Sequence, residues 1–142
     1  MRNVNQILGG KSGHLVTVPK EAPVLEVIRL MAENHIGSVL VVQGEELIGI
    51  ATERDYARKV ILQGRSSAET PVGQIMSSPV VTVSPVDTAQ TCMTLMTQRR
   101  IRHLPVIDEG RVVGMVSIGD LVKAVIEDQQ LEIEQLQQYI AS

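Results

Sequence analysis

The sequence predicts an α+β fold: two copies of one βαββα unit, followed by a C-terminal amphipathic helix. Three observations lead there. Shifted by 65 residues, the chain comes into gap-free register with itself. Within each copy, short Val- and Ile-rich runs alternate with segments whose apolar positions recur every three or four residues. Beyond the second copy, an apolar stripe of helical spacing continues towards the C-terminus.

The internal register is specific. Val16-Thr17-Val18 falls on Val81-Thr82-Val83, Leu30-Met31 on Leu95-Met96, and Ile36 on Ile101. Val41 falls on Val106, Gly49 on Gly114, Asp55 on Asp120, and Val60-Ile61 on Val125-Ile126. Self-similarity at a fixed period marks a duplicated structural unit. A lone copy of about 50 residues would bury too little surface for comfortable stability. The two copies are therefore expected to pack sheet to sheet around a shared core.

Each copy opens on a short β segment, 16–18 or 80–83. A helix follows. In copy one Pro23 is expected at the first helical position, where its missing N–H does no harm. In copy two Asp87 and Gln90 have the spacing of a capping box. Val24, Val27, Ile28 and Met31, with their counterparts Ala89, Cys92, Met93 and Met96, form the i, i+3, i+4, i+7 stripe of a helix buried on one side. Two strands come next, 38–42 with 47–51 and 104–107 with 112–116, joined by hairpin turns at 43–46 and 108–111. Their near-continuous Val, Ile and Leu content predicts cover on both faces. A second helix closes each copy, over 53–63 and from Gly119 onward.

The tail departs from the repeat. Val122, Ile126, Gln129, Ile133, Leu136 and Ile140 follow a heptad-like 3–4 spacing. Such a stripe suits a helix folded back on its own domain or one that faces a partner; its extent beyond the repeat favours the partner. The resulting organisation is an N-terminal segment 1–12, repeat 13–64, a small and polar linker 65–78, repeat 79–127, and a C-terminal helix 128–142.

Composition narrows the function classes. Apolar residues make up 44%, with no Phe or Trp, so the core is aliphatic. A net charge of −3 argues against general nucleic-acid affinity, and Tyr56 and Tyr139 alone cannot form a stacking platform for single strands. No apolar run approaches the roughly 20 residues of a bilayer span, and residues 1–6 lack the apolar stretch of a signal peptide. No membrane association and a cytoplasmic location are expected. Cys92 is the single cysteine and aligns with Val27 on the buried stripe, so it reads as a core thiol. His14, His35 and His103 are too scattered for a metal site. No nucleophile–base spacing, glycine-rich phosphate loop or acidic pair stands out, so no enzymatic activity is expected.

Two segments carry a family resemblance. Gly49-Ile-Ala-Thr52-Glu-Arg-Asp55 and Gly114-Met-Val-Ser117-Ile-Gly-Asp120 both fit Gly-apolar-x-Thr/Ser-x-x-Asp at the end of the third strand. The run 101–108, Ile-Arg-His-Leu-Pro-Val-Ile-Asp, is also similar to that family's middle strand. With both motifs in register within a βαββα repeat, residues 13–127 resemble a tandem pair of CBS (cystathionine-β-synthase type) domains, as in small bacterial regulatory proteins built from one such pair. The resemblance implies a pseudo-twofold unit with two clefts, a ligand such as AMP, ADP, ATP, NAD or S-adenosylmethionine, and association into a homodimer. It implies a role in signal transduction or energy sensing, exerted on a separate and unknown partner protein.

The residues suit that chemistry. Thr52 and Ser117 follow a strand and precede a helix, where free backbone N–H groups and the helix dipole attract phosphate. Asp55 and Asp120, three residues on, can accept from both hydroxyls of a ribose. The same spacing also describes plain helix caps that need no ligand. By resemblance, Arg102 and His103 reach the phosphates of a ligand held by Ser117 and Asp120. Copy one has Gly37 and Ser38 there, so Arg54, or Arg58 or Lys59, is the lesser candidate for its charge; Arg99, Arg100 and Arg102 also suit a solvated basic face. The resemblance further implies aliphatic walls for the adenine at 13–16 and 78–81, including Val16 and Val81. The alternative function is a ligand-free dimerisation or scaffold module.

Overall fold

The computed structural model describes residues 2–9 and 15–142. In chain order its elements are α1 (Val4–Gly9), β1 (Thr17–Pro19), α2 (Val24–Asn34), β2 (Ser38–Gln43), β3 (Glu46–Thr52), α3 (Glu53–Tyr56), a π-helical turn (Ala57–Ile61), a 3-10 turn (Val72–Gln74), α4 (Ala89–Arg99), β4 (His103–Asp108), β5 (Arg111–Ser117) and α5 (Ile118–Ala141). The chain divides into two compact units, His14–Val81 and Met1–Gly13 with Thr82–Ser142. The N-terminal segment thus belongs with the second copy. Among the described residues, no helix is long and apolar enough to cross a membrane.

In the unit His14–Val81, β1 pairs parallel with β2, and β2 pairs antiparallel with β3. Val39, Leu40 and Val41 are all fully buried, so consecutive residues on both faces of β2 are covered. The helical stripe of α2 delivers Val24, Val27 and Met31 into the same core as Val18, Ala51 and Val60. Pro23 stands one position earlier than the sequence predicts: it is the N-cap, in extended conformation, and the helix starts at Val24. The otherwise orphaned N–H groups of Val24 and Leu25 donate to the carbonyls of Thr70 and Ser67, which fixes that start. Residues 65–78, read above as a linker, contribute Val72 and Ile75 to this core. The helix expected over 53–63 is one α turn that widens into a π turn, a form that recurs at functional sites.

In the other unit, β4 and β5 form an antiparallel hairpin. Its turn residues Glu109 and Gly110 both have positive φ, the combination that a two-residue type I′ hairpin demands. The β segment expected at 80–83 does not form a strand; only Val83 makes a parallel bridge, to Val106. The reason is Pro105. Its counterpart Leu40 donates its backbone N–H to Val16 in copy one, and proline has no N–H with which to repeat that bond. The capping box expected at Asp87 and Gln90 is also absent. Thr88 is the N-cap of α4 and accepts from the Thr91 N–H, while Asp87 accepts from the Ser84 N–H at 2.7 Å and shapes the preceding loop. Helix α5 is continuous over 24 residues. Leu121 and Ala124 are buried, whereas Ile126, Ile133, Leu136 and Ile140 are exposed.

A second internal correspondence emerges at a shift of 68 residues, Val4-Asn-Gln-Ile-Leu8 with Val72-Gly-Gln-Ile-Met76. The backbone treats the two segments alike. Val72 N–H donates to Ala22 and Val24 N–H to Thr70; in the other unit Val4 N–H donates to Asp87 and Ala89 N–H to Arg2. Each segment then lays a side chain against a strand glycine, Met76 on Gly49 and Leu8 on Gly114. Arg2 adds ion pairs to Glu127 at 2.6 Å and Asp128 at 3.1 Å on α5. The hydrogen bond from its guanidinium to Glu127 holds the Arg2 pKa above its ordinary value.

Candidate functional site

Each copy places a hydroxyl and a carboxylate at its last strand-to-helix junction. Thr52 ends β3 in extended conformation, and its hydroxyl accepts from the Asp55 N–H at 3.1 Å. The Thr52 N–H donates back to Oδ2 of Asp55 at 3.0 Å. At the other junction the Ser117 hydroxyl accepts from the Asp120 N–H at 3.2 Å, and the Ser117 N–H donates to Oδ2 of Asp120 at 2.8 Å. Both are capping boxes with Asp at the third helical position. The cap predicted from spacing is therefore present in both copies, and it fixes each carboxylate beside the first turn of a helix.

The facing strand completes each junction. Ser38 pairs with Thr52 across the β2–β3 hairpin, and His103 pairs with Ser117 across β4–β5. The carbonyls of Gly37 and Arg102 receive the first helical N–H groups, from Glu53 and Ile118. The fold thus brings Arg102, His103, Ser117 and Asp120 to one end of one hairpin. The Arg102 side chain is exposed and His103 half-buried. Arg54 is exposed on the first turn of α3. Val16 packs against the core of its own unit, and Val81 is half-buried. Residues 13 and 14 of the expected wall 13–16 lie outside the described residues, as does His14.

The two carboxylates differ in their surroundings. Asp55 is 7% exposed. Its Oδ1 accepts from the Ser77 hydroxyl at 3.3 Å and pairs with Nζ of Lys59 at 3.0 Å. Lys59 also donates to the Ile75 carbonyl at 2.9 Å. Its ammonium therefore ties the π turn to the 72–77 segment, rather than standing clear as a phosphate ligand. Asp120 is half-buried. Ser77 went unnoticed in the sequence because its contact with Asp55 is tertiary, set by the pairing of Ser77 with Ile50; the i, i+4 spacing of Asp55 and Lys59 was a signal that could have been used. Cys92 is buried, and burial raises its thiol pKa.

Known proteins share this fold. The family model for the CBS domain matches residues 11–61 and 72–127. A mitochondrial CBS domain-containing protein of Arabidopsis thaliana is 46% identical over 122 residues, 82% of this chain; the chain spans 59% of that relative's length. The structure of a putative signal-transduction protein with CBS domains from Burkholderia ambifaria superposes with a TM-score of 0.87 at 52% identity, covering 89% of this chain and 96% of that one. The CBS domain protein PAE2072 from Pyrobaculum aerophilum, complexed with AMP, superposes with a TM-score of 0.74 at 25% identity, covering 83% and 88%. With two matched repeats, and two copies of the strand–hydroxyl–helix–carboxylate junction, the chain belongs to the CBS domain family.

Proposed function

We propose that this chain is a non-enzymatic regulatory module that binds an adenine nucleotide, AMP, ADP, ATP or NAD(H), and passes its state of occupancy to a partner protein. The observation that carries this is the paired junction. Asp55 and Asp120 stand at equivalent positions, each fixed by a reciprocal cap beside a helix start. A carboxylate so placed can take ribose hydroxyls while the adjoining N–H groups and dipole favour phosphate. In this proposal Ser117 and Asp120, with Arg102 and His103, form the better equipped site, and Thr52, Asp55 and Arg54 the lesser one. Val16 and Val81 serve as aliphatic walls. The AMP complex of the Pyrobaculum relative supports an adenosine-type ligand. Repeats 13–64 and 79–127 are the binding halves, and the module acts in the cytoplasm.

The C-terminal extension, 128–142, supports self-association as a homodimer. Ile126, Ile133 and Ile140 occupy one heptad position, and Val122, Gln129 and Leu136 the other; all five apolar residues of this set are exposed. Ile and Leu in these alternating places favour two strands. Gln130, Gln137 and Tyr139 flank the stripe beside Glu132, so a paired copy brings few like charges together.

A ligand-free scaffold is the second reading, favoured by the same exposed stripe and by caps that are complete without a ligand. Thermal unfolding with and without AMP, ADP, ATP and NADH separates the two. A ligand specific for the folded state adds about 2.7 kcal/mol at a hundredfold excess over its Kd. A raised midpoint with one of them supports the sensor, and an unmoved midpoint with all four supports the scaffold.

A further inference from the structure

We infer, building on the self-association proposed above, that the C-terminal extension pairs with its counterpart in a second copy of this chain as a parallel, in-register two-stranded coil, with Gln129 meeting Gln129 across the seam. Helix α5 is two-sided. Leu121 and Ala124 are buried in its own unit, and Glu127 and Asp128 take the Arg2 guanidinium at 2.6 and 3.1 Å. Ala124 and Asp128 each stand two residues from Ile126, about 200° round the helix at 3.6 residues per turn. The face that the unit holds is thus the far side from the heptad stripe. Val122, Ile126, Ile133, Leu136 and Ile140 are exposed along the other face, which runs about 27 Å from Val122 to Ile140 at 1.5 Å per residue.

The occupant follows from what flanks and interrupts the stripe. A heptad seam is covered by a helix with a matching seam, knobs into holes, and α5 of a second copy supplies one of the same length. Ile126, Ile133 and Ile140 take position a, and Val122, Gln129 and Leu136 position d. Position g then holds Val125, Glu132 and Tyr139, and position e holds Lys123, Gln130 and Gln137. In a parallel pair each g side chain faces the next e side chain of the other copy. Glu132 meets Gln137 and Val125 meets Gln130, so no like charges are opposed.

Gln129 sets the direction. In a parallel, in-register pair every seam residue faces its own counterpart. The two Gln129 amides then lie side by side, each with a donor and an acceptor for the other. In an antiparallel pair position d faces position a, which lays Gln129 against Ile126, Ile133 or Ile140. Two amides are then buried without partners, a cost that the parallel pair avoids. A slip of one heptad in the parallel pair likewise sets Gln129 against Val122 or Leu136. A single polar layer therefore selects both direction and register.

The test is disulfide formation under mild oxidation in three variants of the full chain, Gln129→Cys, Leu136→Cys and Leu131→Cys. The unaltered chain, whose one thiol is the buried Cys92, is the control. Leu131 is exposed and lies off the seam, at position f. Light scattering under reducing conditions measures the self-association of each protein. The parallel coil predicts that Gln129→Cys and Leu136→Cys each run as covalent dimers on a non-reducing gel, while Leu131→Cys and the control stay single chains. In an antiparallel pair only one level of the seam, at the twofold axis, meets itself. With Gln129 at that level, Leu136 stands about 21 Å along the coil from its counterpart, far beyond the roughly 7 Å over which two Cα atoms can be bridged. Dimers by light scattering in which at most one seam variant crosslinks, or in which Leu131→Cys crosslinks as readily, overturn the parallel, in-register coil. If those dimers are lost on truncation after Glu127, the tail-mediated dimer still stands. An unaltered chain that is monomeric, or whose dimer survives the truncation, overturns the tail-mediated dimer and the coil with it.

Discussion

Met76 fills the space into which a side chain on Gly49 would project: a Cβ there would lie 2.8 Å from Cγ of Met76 and 3.0 Å from its Cβ. The second atom cannot swing aside, because it sits next to the backbone. Gly49→Ala should therefore destabilise the protein by about 1–3 kcal/mol through overpacking. Gly114→Ala should be milder, since the nearest atoms there are the terminal methyls of Leu8, which can rotate. Urea unfolding of the two variants checks the order.

Asp120→Ala removes a capping acceptor and the proposed ribose ligand together. Losing the reciprocal half of the cap should lower stability by about 1 kcal/mol. Losing hydrogen bonds to a charged group should weaken nucleotide binding roughly tenfold or more. Titration alongside urea unfolding separates the effects, and unchanged affinity would remove Asp120 from the site.

Truncation after Glu127 removes Ile133, Leu136 and Ile140 but keeps the Arg2–Glu127 ion pair at 2.6 Å. The truncated chain should keep its folded circular dichroism spectrum and lose self-association by light scattering. An unchanged dimer would place the interface elsewhere.

Cys92 is buried, and desolvation raises its thiol pKa from the ordinary value. Less thiolate forms at any given pH, and a buried sulfur is out of reach of reagents. Alkylation of the folded protein at mildly alkaline pH should be slow and should accelerate on addition of denaturant, as read by mass spectrometry.

Much of this was legible in the sequence. The apolar stripe from Val24 to Met31, the two hairpins, and the equivalence of Asp55 with Asp120 rest on local periodicity and on the 65-residue register, and they reappear in the fold. Other features were hidden by single residues. Pro105 deprives copy two of the strand that Leu40 supports in copy one. The kinship of Val4–Leu8 with Val72–Met76 escaped the gap-free comparison, because the stretch from Gly9 to Val16 is three residues longer than that from Ser77 to Val81. The Ser77 contact with Asp55 is tertiary, set by the pairing of Ser77 with Ile50, and no local pattern announces it.

The central claim is that the paired junction holds an adenine nucleotide. Calorimetric titration of the purified, nucleotide-stripped protein with AMP, ATP and NADH in turn tests it most directly. The account predicts saturable binding of at least one at micromolar level, about −8 kcal/mol, weakened roughly tenfold or more in Asp120→Ala. No heat of binding from any of the three, nor from S-adenosylmethionine, would contradict it and leave the capping boxes as structural elements of a scaffold.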